Sequence, residues 1–186
     1  MRLTEVLGVL FGLSEFALAA FRRSRGDGTR REDRGSLALI WIVVVASITA
    51  CIVISGSTDV GRFHLGAAGR AIGIAVFVAG LAIRWWSIVH LGRYFTVDVA
   101  IHEDHRLVTD GPYAFARHPS YTGALLATLA LGILAHNVIG LVVLMVPVTA
   151  VMLHRIGIEE RALRRAFGAE YVAYAARVKA LVPGVW

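Results

Sequence analysis

The chain is poor in cysteine, in lysine and in charge. Cys51 is its single cysteine, which excludes an internal disulfide, and no Cys/His spacing typical of a metal site occurs, so we expect no metal. Charged residues make up 17% of the 186 residues, against roughly 25% in an ordinary soluble domain. A Gly-x-Gly-x-x-Gly signature is missing, which argues against a Rossmann domain. The sequence contains no repeat and no nucleic-acid-binding motif, so we expect no nucleic-acid partner.

Long apolar segments are abundant, and 57% of the residues are hydrophobic. A helix needs about 20 apolar residues to cross a bilayer. The candidate segments are Thr4–Phe21, Leu37–Ser55, Ala68–Val89 and Tyr121–Ile158. The last has 38 residues, too many for one span, and its polar pair His136-Asn137, flanked by Gly132 and Gly140, divides it into two helices. Because backbone polar groups in lipid must bond internally, we predict an all-α polytopic membrane protein of five transmembrane helices, the last two forming a helical hairpin.

The basic residues are concentrated on one side of this predicted topology. Of the 19 Lys and Arg residues, 15 lie in Arg22–Arg34, in 90–120 or in the tail that begins at Arg155. The positive-inside rule then places these segments in the cytoplasm and the N-terminus outside. The net charge of +6 is explained by this topology and by contact with anionic membrane lipids. Eighteen of the 19 basic residues are Arg, which suggests a bacterial source and a bacterial inner membrane.

We expect one integral membrane domain, 1–186, which divides into two halves. The N-terminal half, 1–89, carries the first three spans. The C-terminal half, 90–186, consists of a cytoplasmic loop 90–120, the helical hairpin 121–158 and an amphipathic C-terminal helix 159–180. Within it, residues 105–123 combine two His, two Arg, two Tyr and two Pro between apolar segments. An apolar chain has little reason to keep such a loop unless the loop performs chemistry at the membrane edge.

Two charged residues are predicted to lie inside spans. Glu15 precedes the cytoplasmic end of its span by six residues and Arg84 by five, which puts them about 8 to 9 Å deep at about 1.5 Å per residue. Charges at such depth are rare, and they pair or face a cavity. One interpretation is that Glu15 and Arg84 pair across the first and third spans. The other is that Arg84 snorkels to the interface or reaches the polar loop.

Four motifs in the C-terminal half carry a resemblance to a known family. They are His105-x-Leu-Val-x-x-Gly-Pro-Tyr113, Arg117-His-Pro-Ser-Tyr-x-Gly123, Arg155-x-x-x-Glu159-Glu160 and Phe167-Gly-x-Glu-Tyr171-x-x-Tyr174. On spacing alone, Arg155 and Glu159 share a helix face, and a routine i,i+4 pair would explain them equally well. Taken together, the motifs look like those of the isoprenylcysteine carboxyl methyltransferase (ICMT) family over about residues 84–183.

The resemblance implies a prokaryotic-type integral membrane methyltransferase that uses S-adenosylmethionine and has no Rossmann domain. In the family, the positions that match one set of residues here contact the cofactor, and the position that matches Arg155 contacts the substrate carboxylate. The cofactor set is His105, Arg106, Leu107, Val108, Tyr113, His118, Pro119, Ser120, Tyr121 and Glu159. His118 is expected to donate a hydrogen bond to the cofactor carboxylate; an acid–base role is the alternative.

The family resemblance implies methyl esterification of a lipophilic substrate, such as a prenylated cysteine, that enters from the bilayer. Other acceptors remain open, among them a phospholipid amine, an isoprenoid and another lipidic acid. An NADPH-dependent membrane reductase of the sterol-reductase type shares the Arg-His-Pro-x-Tyr element, although such enzymes normally need a larger bundle. A non-catalytic membrane partner protein is the third possibility. The sequence does not indicate an oligomeric state.

Overall fold

A computed structural model of the chain describes residues 3–21, 30–31, 36–92, 100–101 and 106–184. Helices dominate it, as the sequence predicted. In chain order the elements are α1 (Leu3–Phe21), β1 (Arg30–Arg31), α2 (Ser36–Ser57), α3 (Ala67–Leu91), β2 (Ala100–Ile101), a 3₁₀ turn (Gly111–Ala114), α4 (Pro119–Leu134) and α5 (Val138–Arg177). The exception to the all-α prediction is small: β1 and β2 pair antiparallel over two residues each.

Among the described residues, three helices are long and apolar enough to cross a membrane. They are Ala38–Ser57 within α2, the whole of α3, and α5. The apolar helix α4 has 16 residues, which span about 24 Å at about 1.5 Å per residue, whereas a bilayer core is about 30 Å thick. Apolar side chains such as Ile42, Val78 and Val146 are exposed on the outer faces of the long helices, as expected for contact with lipid. The arrangement of five spans stays a prediction.

Helices α3 and α4 touch through their backbones at a pair of glycines. A Cβ atom on Gly123 would lie 2.5 Å from the carbonyl oxygen of Gly80 and 2.6 Å from the backbone nitrogen of Arg84. A Cβ atom on Gly80 would lie 2.6 Å from the backbone nitrogen of Ala127. Small residues allow such close approach in membrane helix pairs, where packing drives association. This contact fixes the C-terminal half of α3 against the start of α4.

The ion pair between Glu15 and Arg84, one of the two interpretations of these residues, is present in the structure. Arg84 on α3 donates through Nε to Glu15 on α1. Arg84 also donates through Nη1 to the Oγ atom of Ser120, at 3.0 Å. The pairing interpretation and the reach toward the polar loop are therefore both correct, and snorkelling is excluded because most of the Arg84 side chain is buried.

A three-residue turn, 135–137, connects α4 to α5 at the polar pair that the sequence singled out. His136 has a positive φ of 61°, and Asn137 begins α5 by accepting a hydrogen bond from the backbone N–H of Gly140 at 3.0 Å. The Nδ2 atom of Asn137 donates to the carbonyl oxygen of Val60 at 3.0 Å. Asn137 is 1% exposed. One side chain thus caps a helix and ties it to the loop between α2 and α3.

We expect Asn137→Ala to destabilise the protein by about 2 kcal/mol, because the variant loses a helix cap and leaves the carbonyl of Val60 without the donor that ties it to α5. Asn137→Ser is the matched variant, since its hydroxyl oxygen can still cap the helix while the donor to Val60 is lost, and it should cost about half as much. Thermal unfolding of the purified protein measures both changes. Equal losses in the two variants would contradict the assignment of the cap.

The C-terminal helix differs from the sequence expectation of a separate element at 159–180. Helix α5 continues from the apolar segment through Arg177, with non-helical backbone inside it at Gly168 (φ 52°, ψ −122°). Gly157 does not end the helix near Glu159, because it is not among the glycines with positive φ and the helix continues through it. The division lies at Gly168 because the φ of this residue is one that glycine adopts readily. Arg155 and Glu159 are consequently held on one rigid helix.

Candidate functional site

The polar loop reaches the helices through a 3₁₀ turn that buries Tyr113. Gly111 has a φ of 54° and packs so closely on His90 that an added Cβ would lie 2.6 Å from the ring. The Tyr113 hydroxyl donates to the carbonyl oxygen of Ser87 at 3.3 Å, and the Tyr174 hydroxyl donates to the carbonyl oxygen of Tyr113 at 2.6 Å. Burial, together with the carboxylate of Glu159, raises the pKa of Tyr113. Tyr113 is therefore a neutral, immobilised phenol between α3 and α5.

The residues after α5 hold the loop from the other side. The backbone N–H of Arg117 donates to the carbonyl of Lys179 at 2.8 Å, and that of His118 donates to the carbonyl of Ala180 at 2.9 Å. The Thr122 hydroxyl donates to the carbonyl of Leu181 at 2.8 Å. We call residues 178–181 the tail strap. It secures the loop just before α4 begins at Pro119.

Glu159 is the meeting point of the predicted site residues. It accepts hydrogen bonds from the Tyr121 hydroxyl and from Nε of Arg155, the latter at 3.1 Å. Its second oxygen lies 3.5 Å from Nδ1 of His118. The Arg155 side chain is 2% exposed, whereas that of Glu159 is 24% exposed. A buried cation and a partly open carboxylate thus lie side by side, an arrangement suited to binding a polar molecule of mixed charge.

Glu160 forms the second half of the cluster, and sequence reasoning gave it no role. It accepts from Nε of Arg117 at 2.9 Å and lies 3.4 Å from Nε2 of His118. Arg117 also donates to the carbonyl of Ala175 at 3.2 Å. Glu160 therefore links the loop to α5. The sequence does place Glu160 directly after Glu159 and four residues before Arg164, and this position could have indicated a role for it.

His118 directs both ring nitrogens at carboxylates, which the sequence did not predict. Burial alone would lower the pKa of His118, but the hydrogen bonds and charges of Glu159 and Glu160 outweigh burial and hold the pKa above its ordinary value. An imidazolium has two N–H donors, so it can satisfy both carboxylates. The charged form of His118 is favoured in the folded protein.

This shift predicts a pH dependence of stability. An unfolded histidine titrates near about 6.5. Because the folded pKa is raised, the stabilisation by His118 is complete below about pH 6.5 and is lost as the pH rises through the folded pKa. We expect the melting-temperature gap between the wild type and His118→Gln to be widest at acidic pH and to shrink toward alkaline pH. A gap that widens with pH would refute the charged form.

The remaining predicted residues lie around this cluster. Pro119 and Ser120 are buried in the first turn of α4, and Arg106 is exposed. Leu107 and Val108 are half-buried, and their backbone groups make no hydrogen bond within the described part of the chain. His105 lies outside the described residues. Among those described, no group of three His, Cys, Asp or Glu side chains is arranged to hold a metal.

Known proteins resemble the chain over the helices that form this cluster. The model of the isoprenylcysteine carboxyl methyltransferase (ICMT) family matches residues 72–165. Protein-S-isoprenylcysteine O-methyltransferase B of Arabidopsis thaliana is 36% identical over 115 residues, which cover 61% of this chain and 58% of the plant protein. Protein-S-isoprenylcysteine O-methyltransferase of Schizosaccharomyces pombe is 34% identical over 106 residues, covering 56% and 45% of the two chains. The chain spans about half the length of the curated relatives it matches.

A solved structure extends the similarity to the fold. The eukaryotic intramembrane Ras methyltransferase ICMT aligns with a TM-score of 0.59 and 26% identity, covering 80% of this chain and 53% of that chain. This likeness, with the three long apolar helices, makes the chain a multi-pass membrane protein. Since the family model covers just over half of the chain, including Tyr113, His118, Arg155 and Glu159, the chain belongs to the ICMT family.

Proposed function

We propose that the chain is an S-adenosylmethionine-dependent methyltransferase that esterifies a carboxylate of a lipophilic substrate, such as a prenylated cysteine. The observation that carries the proposal is the buried Arg155 beside the partly open carboxylate of Glu159, within a matched ICMT region. Similarity to proteins named protein-S-isoprenylcysteine O-methyltransferase supports the same reaction class.

We further infer five spans, with the N-terminus outside and the site at the cytoplasmic side of a bacterial inner membrane. The distribution of arginine supports this orientation. The position of Arg84 agrees with it, since this residue links the inner part of α3 to Ser120 at the start of α4. A lipid-soluble acceptor would then approach within the bilayer, and a water-soluble cofactor from the cytoplasm.

The residues present fit a cofactor that carries an ammonium group, a carboxylate and a nucleoside. Glu159 offers a carboxylate for the ammonium group or ribose hydroxyls, and His118, whose protonated form is stabilised by two neighbouring carboxylates, lies beside it. Leu107 and Val108 are half-buried residues beside this cluster, and we propose that their backbone groups bind the nucleoside. Together with His105, Arg106, Tyr113, Pro119, Ser120 and Tyr121, these residues are proposed to hold the cofactor.

The protein's part in the reaction is to bind and align. S-adenosylmethionine, when bound, supplies a methyl group on a positively charged sulfur. Arg155 is suited to hold the substrate carboxylate through paired N–H donors. That carboxylate is already ionised at neutral pH, with a pKa of roughly 3–4, so no general base is required. Positioning can supply effective molarities of roughly 10⁵ M or more, and the buried setting of Arg155 excludes water that would stabilise separated charges.

Calorimetry of the purified full chain with S-adenosylhomocysteine and with NADPH tests the cofactor. Binding of the first ligand alone is the expected result. Binding of NADPH alone would replace the proposal by the membrane reductase, and binding of neither would favour a non-catalytic protein.

Labelled-methyl transfer into membrane extracts and into a synthetic farnesylcysteine then identifies the acceptor. We expect a base-labile methyl ester on the farnesylcysteine, as an esterified carboxylate requires. Base-stable label in the phospholipid fraction would instead point to an amine acceptor, and base-stable label on a neutral lipid to an isoprenoid.

A further inference from the structure

The ion pair between α1 and α3 is built around a fixed backbone. Because an added Cβ on Gly123 would lie 2.6 Å from the backbone nitrogen of Arg84, the main chain of Arg84 is pressed against α4. Gly123 and Ser120 are three residues apart and share one face of α4. Ser120 therefore lies one turn from the point where Arg84 is anchored, within reach of its side chain.

The Arg84 guanidinium divides its donors between two partners. Nε and Nη2 donate to the two carboxylate oxygens of Glu15, a bidentate arrangement. Nη1 donates to the carbonyl oxygen of Ser120 at 3.2 Å and to its Oγ atom at 3.0 Å. A guanidinium is planar and rigid. The Glu15 carboxylate that holds the Nε and Nη2 edge therefore also sets the direction in which Nη1 donates. The orientation of Nη1 thus depends on Glu15.

This arrangement determines what the Ser120 hydroxyl can do. A hydroxyl has one hydrogen to donate and can also accept. Because Oγ accepts from Arg84, its hydrogen is directed away from the guanidinium. Ser120 is followed by Tyr121, which donates to Glu159. The serine hydroxyl therefore keeps its hydrogen for a further acceptor, within the segment 118–121 that the proposed function assigns to the cofactor.

Glu15 is also what keeps the arginine in place. The side chains of Arg84 and Glu15 are 12% and 16% exposed, and an isolated cation in such surroundings would tend to extend toward water. The neighbouring residues add a second contact between the same helices, since Nε1 of Trp85 donates to Oγ of Ser14 at 2.9 Å. Helix α1 precedes the region that the family model matches, so the family match does not point to Glu15.

We propose that Glu15 is a positioning residue of the cofactor site, which acts through Arg84 to hold the Ser120 hydroxyl as a hydrogen-bond donor to the cofactor. The proposal rests on the proposed function. It means that a residue of α1 contributes to cofactor binding by positioning a side chain of α4. The acceptor on the cofactor would be an oxygen atom, because a hydroxyl donor paired with a nearby cation favours an anionic or carbonyl group.

A double-mutant cycle on ligand affinity tests this role. The dissociation constant for S-adenosylhomocysteine is measured by calorimetry for the wild type, Glu15→Gln, Ser120→Ala and the double variant, and the melting temperature without ligand is recorded for each. We expect Glu15→Gln to weaken binding about tenfold. In the Ser120→Ala background, Glu15→Gln should alter affinity by no more than about twofold, because the hydroxyl through which Glu15 acts is already absent.

Ser14→Ala is the matched control, since it removes the adjacent contact between α1 and α3 without touching Arg84, and it should leave affinity within about twofold of wild type. Glu15→Asp keeps the charge on a shorter side chain and should recover part of the loss; it replaces Glu15→Gln if that variant does not fold. The proposal would be overturned if Glu15→Gln bound the ligand as tightly as the wild type and only its melting temperature fell. It would also be overturned if the affinity losses of Glu15→Gln and Ser120→Ala were additive in the double variant. Failure of the wild type to bind would overturn the proposed function itself.

Discussion

Glu159→Gln is expected to weaken binding of S-adenosylhomocysteine by about a hundredfold or more and to reduce methyl transfer correspondingly. The substitution keeps the shape of the side chain but removes its charge. Arg155 and His118 then face an amide, and the Tyr121 hydroxyl loses a charged acceptor. Removing one partner from a buried charge cluster leaves the other charges uncompensated, and this accounts for the size of the effect.

Two further glutamates on α5 make this prediction specific. Glu170→Gln is the matched control. Glu170 is exposed and lies beyond the kink at Gly168, so this substitution should leave the affinity unchanged. Glu160→Gln tests whether Glu160 supports the loop, through its bond to Arg117, while Glu159 binds the ligand. We expect it to lower the melting temperature more than the affinity. If Glu159→Gln binds the ligand as tightly as Glu170→Gln does, the assignment of the cofactor site to Glu159 is wrong.

The second large effect is expected at the glycine contact between α3 and α4. Gly123→Val should destabilise the protein by about 3 kcal/mol or more, because its side chain would overlap backbone atoms of Gly80 and Arg84 that have no freedom to retreat. Even Gly123→Ala places its Cβ 2.5 Å from a carbonyl oxygen. The yield of folded protein and its melting temperature in detergent report the loss.

Gly12→Ala on α1 is the control for the glycine prediction. Nothing lies within 4 Å of the Cβ that this substitution would add, and alanine is favoured over glycine inside a helix by about 1 kcal/mol. The same chemical change should thus stabilise or leave unchanged one helix and destabilise the other. A melting temperature that falls equally in Gly12→Ala and Gly123→Ala would show that close packing is not the cause.

The sequence was informative about local features and about the family. Apolar length predicted the long helices, the i,i+4 spacing placed Arg155 and Glu159 on one face, and the depth of Glu15 and Arg84 made their ion pair one of two interpretations. These conclusions depend on residues close in sequence or on a charge that lipid does not tolerate alone. The first two follow from short-range rules, whereas the third needed the structure to decide between its two interpretations.

Features that depend on how distant segments meet could not be predicted. The two carboxylates around His118 require the loop and α5 to approach at one angle, and no spacing rule contains that angle. The tail strap pairs main-chain groups, which leave no mark in the side-chain pattern. The continuity of α5 past Glu159 was missed because an amphipathic pattern after an apolar run resembles a new helix. The five-span topology and the roles of the cofactor residues stay predictions.

The tail strap has a consequence for the order of events during biosynthesis. Arg117 and His118 receive their backbone partners from Lys179 and Ala180, more than sixty positions later in translation. During synthesis the loop before α4 therefore lacks these partners until α5 and the residues after it have emerged from the ribosome. Ligand-binding competence should therefore arise late, after helix insertion is complete, and nascent chains stalled before Lys179 should be membrane-embedded but unable to retain S-adenosylhomocysteine.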